Sequence, residues 1–456
     1  MALKGLDIFK LTPKKNCKDC GFPTCMAFAM KVAAGAAKIE KCPHMSEDAL
    51  AKLSEATAPP MKTLTIGKGD SEYKLGGETV LFRHEKTFVN RNRFAVLLSD
   101  SMSDEEINAK IENMKKVNYV RIGEEMKIEI AALKYEGNKE NYINLINKVK
   151  TSELKVVYML ICEDSAVLKD ALELVKSENP IVYGATKENY KEMVELVKAD
   201  KLALGVKAGN LEELYALVED IHKLGYKELI LDPGSSSLKE AFTNTVQIRR
   251  IALKEGDRTF GYPSVLFVNE IAKDDKFMEI ALASLFTVKY GSIIVLNDID
   301  YAKALPLFAL RQNIYTDPQR PMRVEPKIYP INNPDEDSPV LVTVDFALTY
   351  FIIAGEIERS KVPMWLVIPD AGGYSVLTAW AAGKFSGSSI ANFIKECGIE
   401  DKTKCRKLVI PGKVAVLKGD IEDNLSGWEV VVGTNEAMEL PKFLREFNEE
   451  LKTAKA

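Results

Sequence analysis

The chain has 456 residues, with 62 Lys and Arg against 66 Asp and Glu and a formal net charge of -4. Its length suggests about three domains at ~150 residues each, and 46% hydrophobic with 28% charged residues is an ordinary globular composition with ample chain for sizeable cores. Slight acidity without a basic block argues against a nucleic-acid binder, and the apolar runs fall well short of the ~18 residues a membrane-spanning helix needs.

In chain order, the opening Met1-Ala2-Leu3-Lys4 is soon interrupted by Asp7 and Lys10, so no signal peptide is read and a reducing cytoplasm is expected. Next come four cysteines within 42 residues: Cys17, Cys20, Cys25 and Cys42. The first three form C-x2-C-x4-C and Pro43 follows the fourth. Two- and four-residue gaps let thiolates converge on one centre, and a fourth ligand can return after a helix. Structural zinc usually takes two separated pairs, whereas a Cys-Pro step also closes the bacterial ferredoxin run. The spacing therefore favours a [4Fe–4S] cluster, with zinc and a disulfide pair as the other readings. Thr24 is positioned to cap a helix beginning at Cys25, whose free N–H groups would face an anionic cluster. Cys162, Cys397 and Cys405 are scattered and read as structural.

Residues 1–60 are the expected cluster module, closed by the helix-breaking Ala58-Pro59-Pro60. Residues 61–90 read as a connector with strand-like pieces at 64–66 and 79–82. From 91 to 320, apolar runs at 94–98, 119–122, 156–161, 181–183, 202–206, 229–231, 265–268 and 293–296 alternate with amphipathic helices. Eight strand candidates over this span predict a TIM (β/α)8 barrel, although doubly wound sheets alternate the same way. Asp100, Asp232 and Asp298 fall at strand ends, where barrel sites form but where Asp also caps helices and makes turns. Asp232-Pro233-Gly234 resembles a turn of pterin-binding barrels. Five prolines mark 321–339 as a stiff, extended linker.

Alternation restarts at 340 and predicts a flavodoxin-like or Rossmann-like α/β domain over 340–456. Strands are expected at 340–344, 365–368, 408–410, 414–417 and 430–432. Ligands of open parallel sheets bind outside the carboxyl ends of strands. The loops at those ends are Val344-Asp345-Phe346, Asp370 to Ser375, Pro411-Gly412 and Gly433-Thr434-Asn435. Glycines there would let a flat macrocycle or a phosphate approach the backbone, and tight αβ turns use them too. G-x-G-x-x-G is missing, which makes a dinucleotide site poor. The histidines are His44, His84 and His222. None follows residue 222, so a corrinoid in this domain would lack a local imidazole ligand, which eases reduction of its cobalt.

End to end, the chain resembles the large (gamma) subunits of the corrinoid iron–sulfur proteins of the acetyl-CoA (Wood–Ljungdahl) pathway. The residues that carry the resemblance are Asn16-Cys17 through Cys42-Pro43, the barrel-like middle, and the tail Leu377-Thr378-Ala379-Trp380-Ala381-Ala382-Gly383-Lys384-Phe385. It implies a [4Fe–4S] cluster on Cys17, Cys20, Cys25 and Cys42, a TIM barrel and a C-terminal corrinoid-binding domain, with corrinoid contacts expected from the strand-end loops at Thr343, Thr349, Gly372, Gly373, Tyr374, Ser375, Val376, Gly433, Thr434, Asn435 and Ala437. It also implies a methyltransferase-type carrier: Co(I) takes a methyl group from methyltetrahydrofolate through a methyltransferase, and methyl-Co(III) delivers it to acetyl-CoA synthase. The cluster would mediate reductive reactivation of Co(II). Implied partners are a small corrinoid iron–sulfur protein subunit in a heterodimer, the methyltransferase, CO dehydrogenase/acetyl-CoA synthase and a reductive activator. The competing readings are an iron–sulfur/flavin electron-transfer protein, a non-enzymatic scaffold, and a barrel with its own folate chemistry.

Overall fold

Eight parallel strands dominate the middle of the computed structural model, which describes residues 5–33, 37–46, 49–50, 60–234, 236–318 and 321–455. Two units divide the chain: Met1–Asn118 with Lys127–Tyr315, and Tyr119–Met126 with Thr316–Ala456. The expected break at Ala58 and Pro59 lies outside the described residues.

Within the first unit, β1 (Thr63–Ile66) and β2 (Tyr73–Gly76) form an antiparallel hairpin. The barrel strand β3 (Arg93–Ser99) follows. The chain then forms β4 (Asn118–Arg121) and β5 (Glu124–Lys127), a separate two-stranded sheet whose residues Tyr119–Met126 belong to the second unit. The barrel continues with β6 (Ile130–Lys134), β7 (Val157–Ile161), β8 (Ile181–Ala185), β9 (Ala203–Lys207), β10 (Leu229–Asp232), β11 (Val265–Phe267) and β12 (Ile293–Leu296). Their order is β10-β9-β8-β7-β6-β3-β12-β11, and a parallel bridge from Leu231 to Ser264 brings the outer strands together, so the barrel is nearly closed.

Seven of the expected barrel runs are barrel strands, and the eighth is a correction. Residues 119–122 belong to the β4–β5 hairpin and not to the barrel; the strand in that place is β6. Ile130-Ala131-Ala132-Leu133 is as good a helix segment as a strand by residue type, and only burial on both faces makes it a strand. The piece at 79–82 is not a strand either.

Leu64, Ile66 and Leu75 of the β1–β2 hairpin share one buried cluster with Ala95, Ile130, Met159 and other interior residues of the barrel. Gly67 N–H donates to Asn179 O (2.8 Å) and Lys62 N–H to Gly261 O (2.8 Å), both before the starts of barrel strands. The hairpin thus covers the amino-terminal end. Near that end Glu129 is buried, accepting from Arg311 Nη1 at 2.6 Å and from Phe94 N–H at 3.1 Å.

The second unit is a five-stranded sheet: β13 (Lys327–Ile331), β14 (Val340–Val342), β15 (Met364–Ile368), β16 (Lys407–Ile410) and β17 (Glu429–Val432). The order is β13-β15-β14-β16-β17, parallel except for β13. Helices Ala347–Ser360 and Leu440–Lys455 pack in one buried cluster with the sheet, and Gly387–Glu396 in another. Residues 321–339 are extended, but β13 lies inside them and pairs with β15, so the stretch is an edge strand as well as a connection. Pro330 fits there because an edge position asks for no further ladder N–H. The expected strand at 414–417 is instead part of a 3-10 helix, Gly412–Leu417.

Candidate functional site

At the amino end, helices Gly5–Leu11 and Cys25–Ala33 enclose a small apolar cluster of Ile8, Phe28, Ala29, Val32 and Ile39. Cys42 is buried in that cluster and Cys20 packs at its margin, while Cys25 is buried at the start of the second helix. Cys17 is exposed. The Thr24 hydroxyl accepts from Ala27 N–H at 3.0 Å, the expected cap. Asn16 closes the loop across the helix start: its side-chain oxygen accepts from Cys25 N–H at 2.8 Å. Its own N–H reaches Cys25 Sγ at 3.4 Å, a contact that would stabilise a thiolate. His44 Nε2 lies 2.6 Å from Asp19 Oδ2 and, with Cys17 beside it, holds that carboxyl below its usual range. Cys17, Asp19 and His44 bring their ligand atoms within 4.8 Å of one another. Cys20 and Cys42 thus meet at the apolar cluster, while Cys17 lies beside Asp19 and His44. Soft thiolates of this kind suit iron–sulfur or zinc centres.

In the second unit, parallel connections leave β14 toward β15 on one side, and the chain then returns to β16 on the other. The gap between β14 and β16 is the topological switch point, where open α/β sheets bind ligands. A cavity of about 220 Å³ opens there. Of the expected contacts, Thr343, Thr349, Val376, Gly433, Thr434, Asn435 and Ala437 line it. Gly372, Gly373, Tyr374 and Ser375 do not. Their loop is tied to Asp345, which is buried at the end of β14 and accepts from Ala371 N–H at 3.2 Å and Gly373 N–H at 2.9 Å. Burial pushes the Asp345 carboxyl upward. Ser375 instead pairs with the Thr378 hydroxyl at 3.0 Å.

Thr343 is 1% exposed and its hydroxyl has no hydrogen-bond partner. Buried polar groups are ordinarily satisfied, so an orphaned hydroxyl facing a cavity is a mark of a site awaiting a ligand. The wall opposite is backbone: Gly412 N–H donates to Thr434 O at 3.0 Å, and a Cβ at Gly412 would lie 2.7 Å from Gly433 O. That approach requires glycine and explains Pro411-Gly412 after β16. Ile352, Ile353 and Lys413 also line the cavity and were not expected. Ile352 and Ile353 lie on the helix after β14, three and four residues beyond Thr349, spacing that keeps them on its face. Leu348, Leu377, Trp380 and Met438 stand exposed on helical turns that follow these strand ends. The residues present thus offer an apolar apron, a hydroxyl and glycine backbone, a set that fits a large, mostly neutral ring system with polar arms. No histidine lies in this unit.

The three barrel aspartates part company. Asp100 accepts from Glu136 N–H (2.8 Å) and Asn138 N–H (3.0 Å), a turn role. Asp298 accepts from Ile299 N–H (2.7 Å) and Asn113 Nδ2 (3.1 Å). Asp232 lines a cavity. His222 Nε2 is 2.7 Å from the Tyr262 hydroxyl, and His84 stacks on Phe82. Among the described residues no helix is long and apolar enough to cross a membrane.

A family described as "CO dehydrogenase/acetyl-CoA synthase delta subunit" matches residues 63–444, and one described as "Putative Fe-S cluster" matches residues 13–44, which hold all four cysteines. The "Corrinoid/iron-sulfur protein large subunit" of Moorella thermoacetica is 41% identical, covering 98% of this chain and 99% of its own. "Acetyl-CoA decarbonylase/synthase complex subunit gamma" of Methanopyrus kandleri is 38% identical over 97% of each chain. The subunit of that name from Methanocaldococcus jannaschii is 32% identical over 97% of this chain and 96% of its own.

Proposed function

The chain belongs to the CO dehydrogenase/acetyl-CoA synthase delta-subunit family, alongside corrinoid/iron-sulfur protein large subunits, and from that premise we propose that it is a methyl carrier of the acetyl-CoA pathway. Residues 1–60 hold a [4Fe–4S] cluster on Cys17, Cys20, Cys25 and Cys42, and residues 340–456 hold a corrinoid. When bound, the corrinoid supplies a cobalt that takes up and hands on the methyl group, and the cluster supplies an electron that returns oxidised cobalt to use. The chain's own groups bind and orient. The Thr343 hydroxyl and Asn435 take a polar arm of the ring in the 220 Å³ cavity, which is too small for the ring itself. Leu348, Leu377 and Trp380 keep water from its flat face. Without a histidine in the unit, nothing there offers the cobalt a strong imidazole donor.

The observation that carries this reading is the cavity at the β14/β16 switch point with its orphaned Thr343 hydroxyl. The partners that go with it are a small corrinoid iron–sulfur subunit, a methyltetrahydrofolate methyltransferase, acetyl-CoA synthase and a reductive activator. The test is metal analysis of anaerobically purified protein reconstituted with cobalamin: about one cobalt and about four irons per chain are expected. Cobalt-free protein after reconstitution sinks the carrier, and a corrin-free chain with flavin absorption would favour electron transfer. Cys20→Ala should impair reductive reactivation while leaving methylation of already reduced protein nearly intact; equal loss of both would make the cluster structural.

A further inference from the structure

The barrel's amino-terminal end is covered by the β1–β2 hairpin, but its carboxyl-terminal end opens into a cavity of about 740 Å³ that the carrier function does not use. Its floor carries Asp232, only 8% exposed. Asp232 Oδ2 accepts from the Tyr183 hydroxyl and Oδ1 from Gly234 N–H at 2.8 Å. Each oxygen keeps a further lone pair for a ligand. No described cation stands within ion-pair distance of it: the mouth lysines are engaged elsewhere, Lys207 with Glu163 at 3.2 Å and Lys134 with Glu136 at 3.1 Å. Glu270 adds another carboxylate to the lining. With its lysines paired to Glu163 and Glu136, and Asp232 and Glu270 left outside those pairs, the mouth repels phosphates and carboxylates and favours N–H donors.

The walls narrow the choice further. Tyr183 and Phe267 stand with ring centroids 5.1 Å apart, with Ile161, Leu266 and Ile271 around them. Aromatic and branched apolar walls beside one buried acceptor suit a flat ring whose edge bears the donors. Covalent capture is disfavoured, because burial pushes the Cys162 thiol in the same mouth up to about 11 and keeps it protonated. Burial likewise raises Asp232, and a ligand sharing two N–H bonds with it would offset that cost.

We propose that the barrel mouth is a second ligand site, independent of the carrier reading, for a neutral planar nitrogen heterocycle presenting two adjacent N–H donors to Asp232. The 2-amino-4-oxo-pyrimidine edge common to pterin and guanine has that pattern. Calorimetric titration of the full-length protein with pterin, with guanine and with inorganic phosphate tests it. Pterin, guanine or both should bind with a Kd below about 100 μM, and phosphate should not bind. Binding of both assigns the shared edge, and binding of one assigns the pteridine or the purine frame. Asp232→Asn should weaken binding tenfold or more, since the amide turns one acceptor into a donor. Ala208→Trp, at the rim, should block entry and serves alone should Asp232→Asn fail to fold. Absence of binding by both heterocycles at about 1 mM, tighter binding of phosphate, or undiminished affinity in the folded variants would overturn the site.

Discussion

The barrel and the C-terminal sheet solve the same topological problem with opposite chemistry. Each puts a cavity outside the carboxyl ends of parallel strands. The barrel mouth is lined by paired lysines and glutamates around a buried aspartate. The sheet's cavity has hydroxyls, glycine backbone and apolar side chains, with Lys413 and Glu436 as its charged groups. Parallel strands decide where a ligand goes, and the residues just past each strand decide what it is. A charged rim selects a small polar molecule by matched hydrogen bonds, whereas an apolar apron selects by area.

The comparison can be broken most forcefully at the barrel's buried ion pair. Arg311→Leu leaves Glu129 with Arg93 at 3.4 Å as its remaining cationic contact. We expect a loss of about 3–5 kcal/mol from the barrel. All three tryptophans, Trp365, Trp428 and Trp380, lie in the second unit. The urea midpoint by far-UV circular dichroism should therefore fall while that by tryptophan fluorescence holds; equal shifts would mean the units unfold as one.

Next in size is Gly412→Ala, which drives a methyl group into Gly433 O. It should cost about 1–3 kcal/mol and lower retained corrinoid, read as cobalt per chain after gel filtration. Normal cobalt would remove this wall from the site. Thr343→Val is expected to be neutral or stabilising in the corrinoid-free chain, by up to about 1–3 kcal/mol, because it deletes an unsatisfied buried hydroxyl of nearly the same shape. The same variant should release corrinoid faster. A destabilised corrinoid-free chain would show that the hydroxyl serves the fold.

The smallest effect concerns acid. Hydrogen bonds from Ser101, Ser99 and Lys134 hold the Glu136 carboxyl down to about 2 from its ordinary 4.5. Its folded pKa lies below its unfolded one, so its contribution is full above 4.5 and fades as pH falls toward about 2. Glu136→Gln should flatten the barrel's loss of stability across that window, followed by circular dichroism, and leave the tryptophan signal unchanged. The side chain is 35% exposed, so the effect is modest.

Legibility followed the range of the forces involved. The cysteine spacing, the Thr24 cap and seven barrel strands were readable because each depends on neighbours within a few residues. Strand β6 was not, since an Ile-Ala-Ala-Leu run has no preference that outweighs its surroundings. Of the three strand-end loops expected to carry contacts, residues at 343–349 and 433–437 line the cavity. Residues 372–375 do not line it, because Asp345, more than 25 residues earlier, holds their loop through Ala371 N–H and Gly373 N–H.

Amino-acid order by itself determined the four thiol donors on one short segment, the lack of histidine beyond residue 222, and the two alternating α/β stretches. Tertiary structure alone decided that the Pro-rich stretch is partly an edge strand, that Asp232 faces a cavity, and that Thr343 is left without a partner. Local spacing and composition are written along the chain, whereas burial and hydrogen-bond satisfaction are properties of neighbours that only folding brings together.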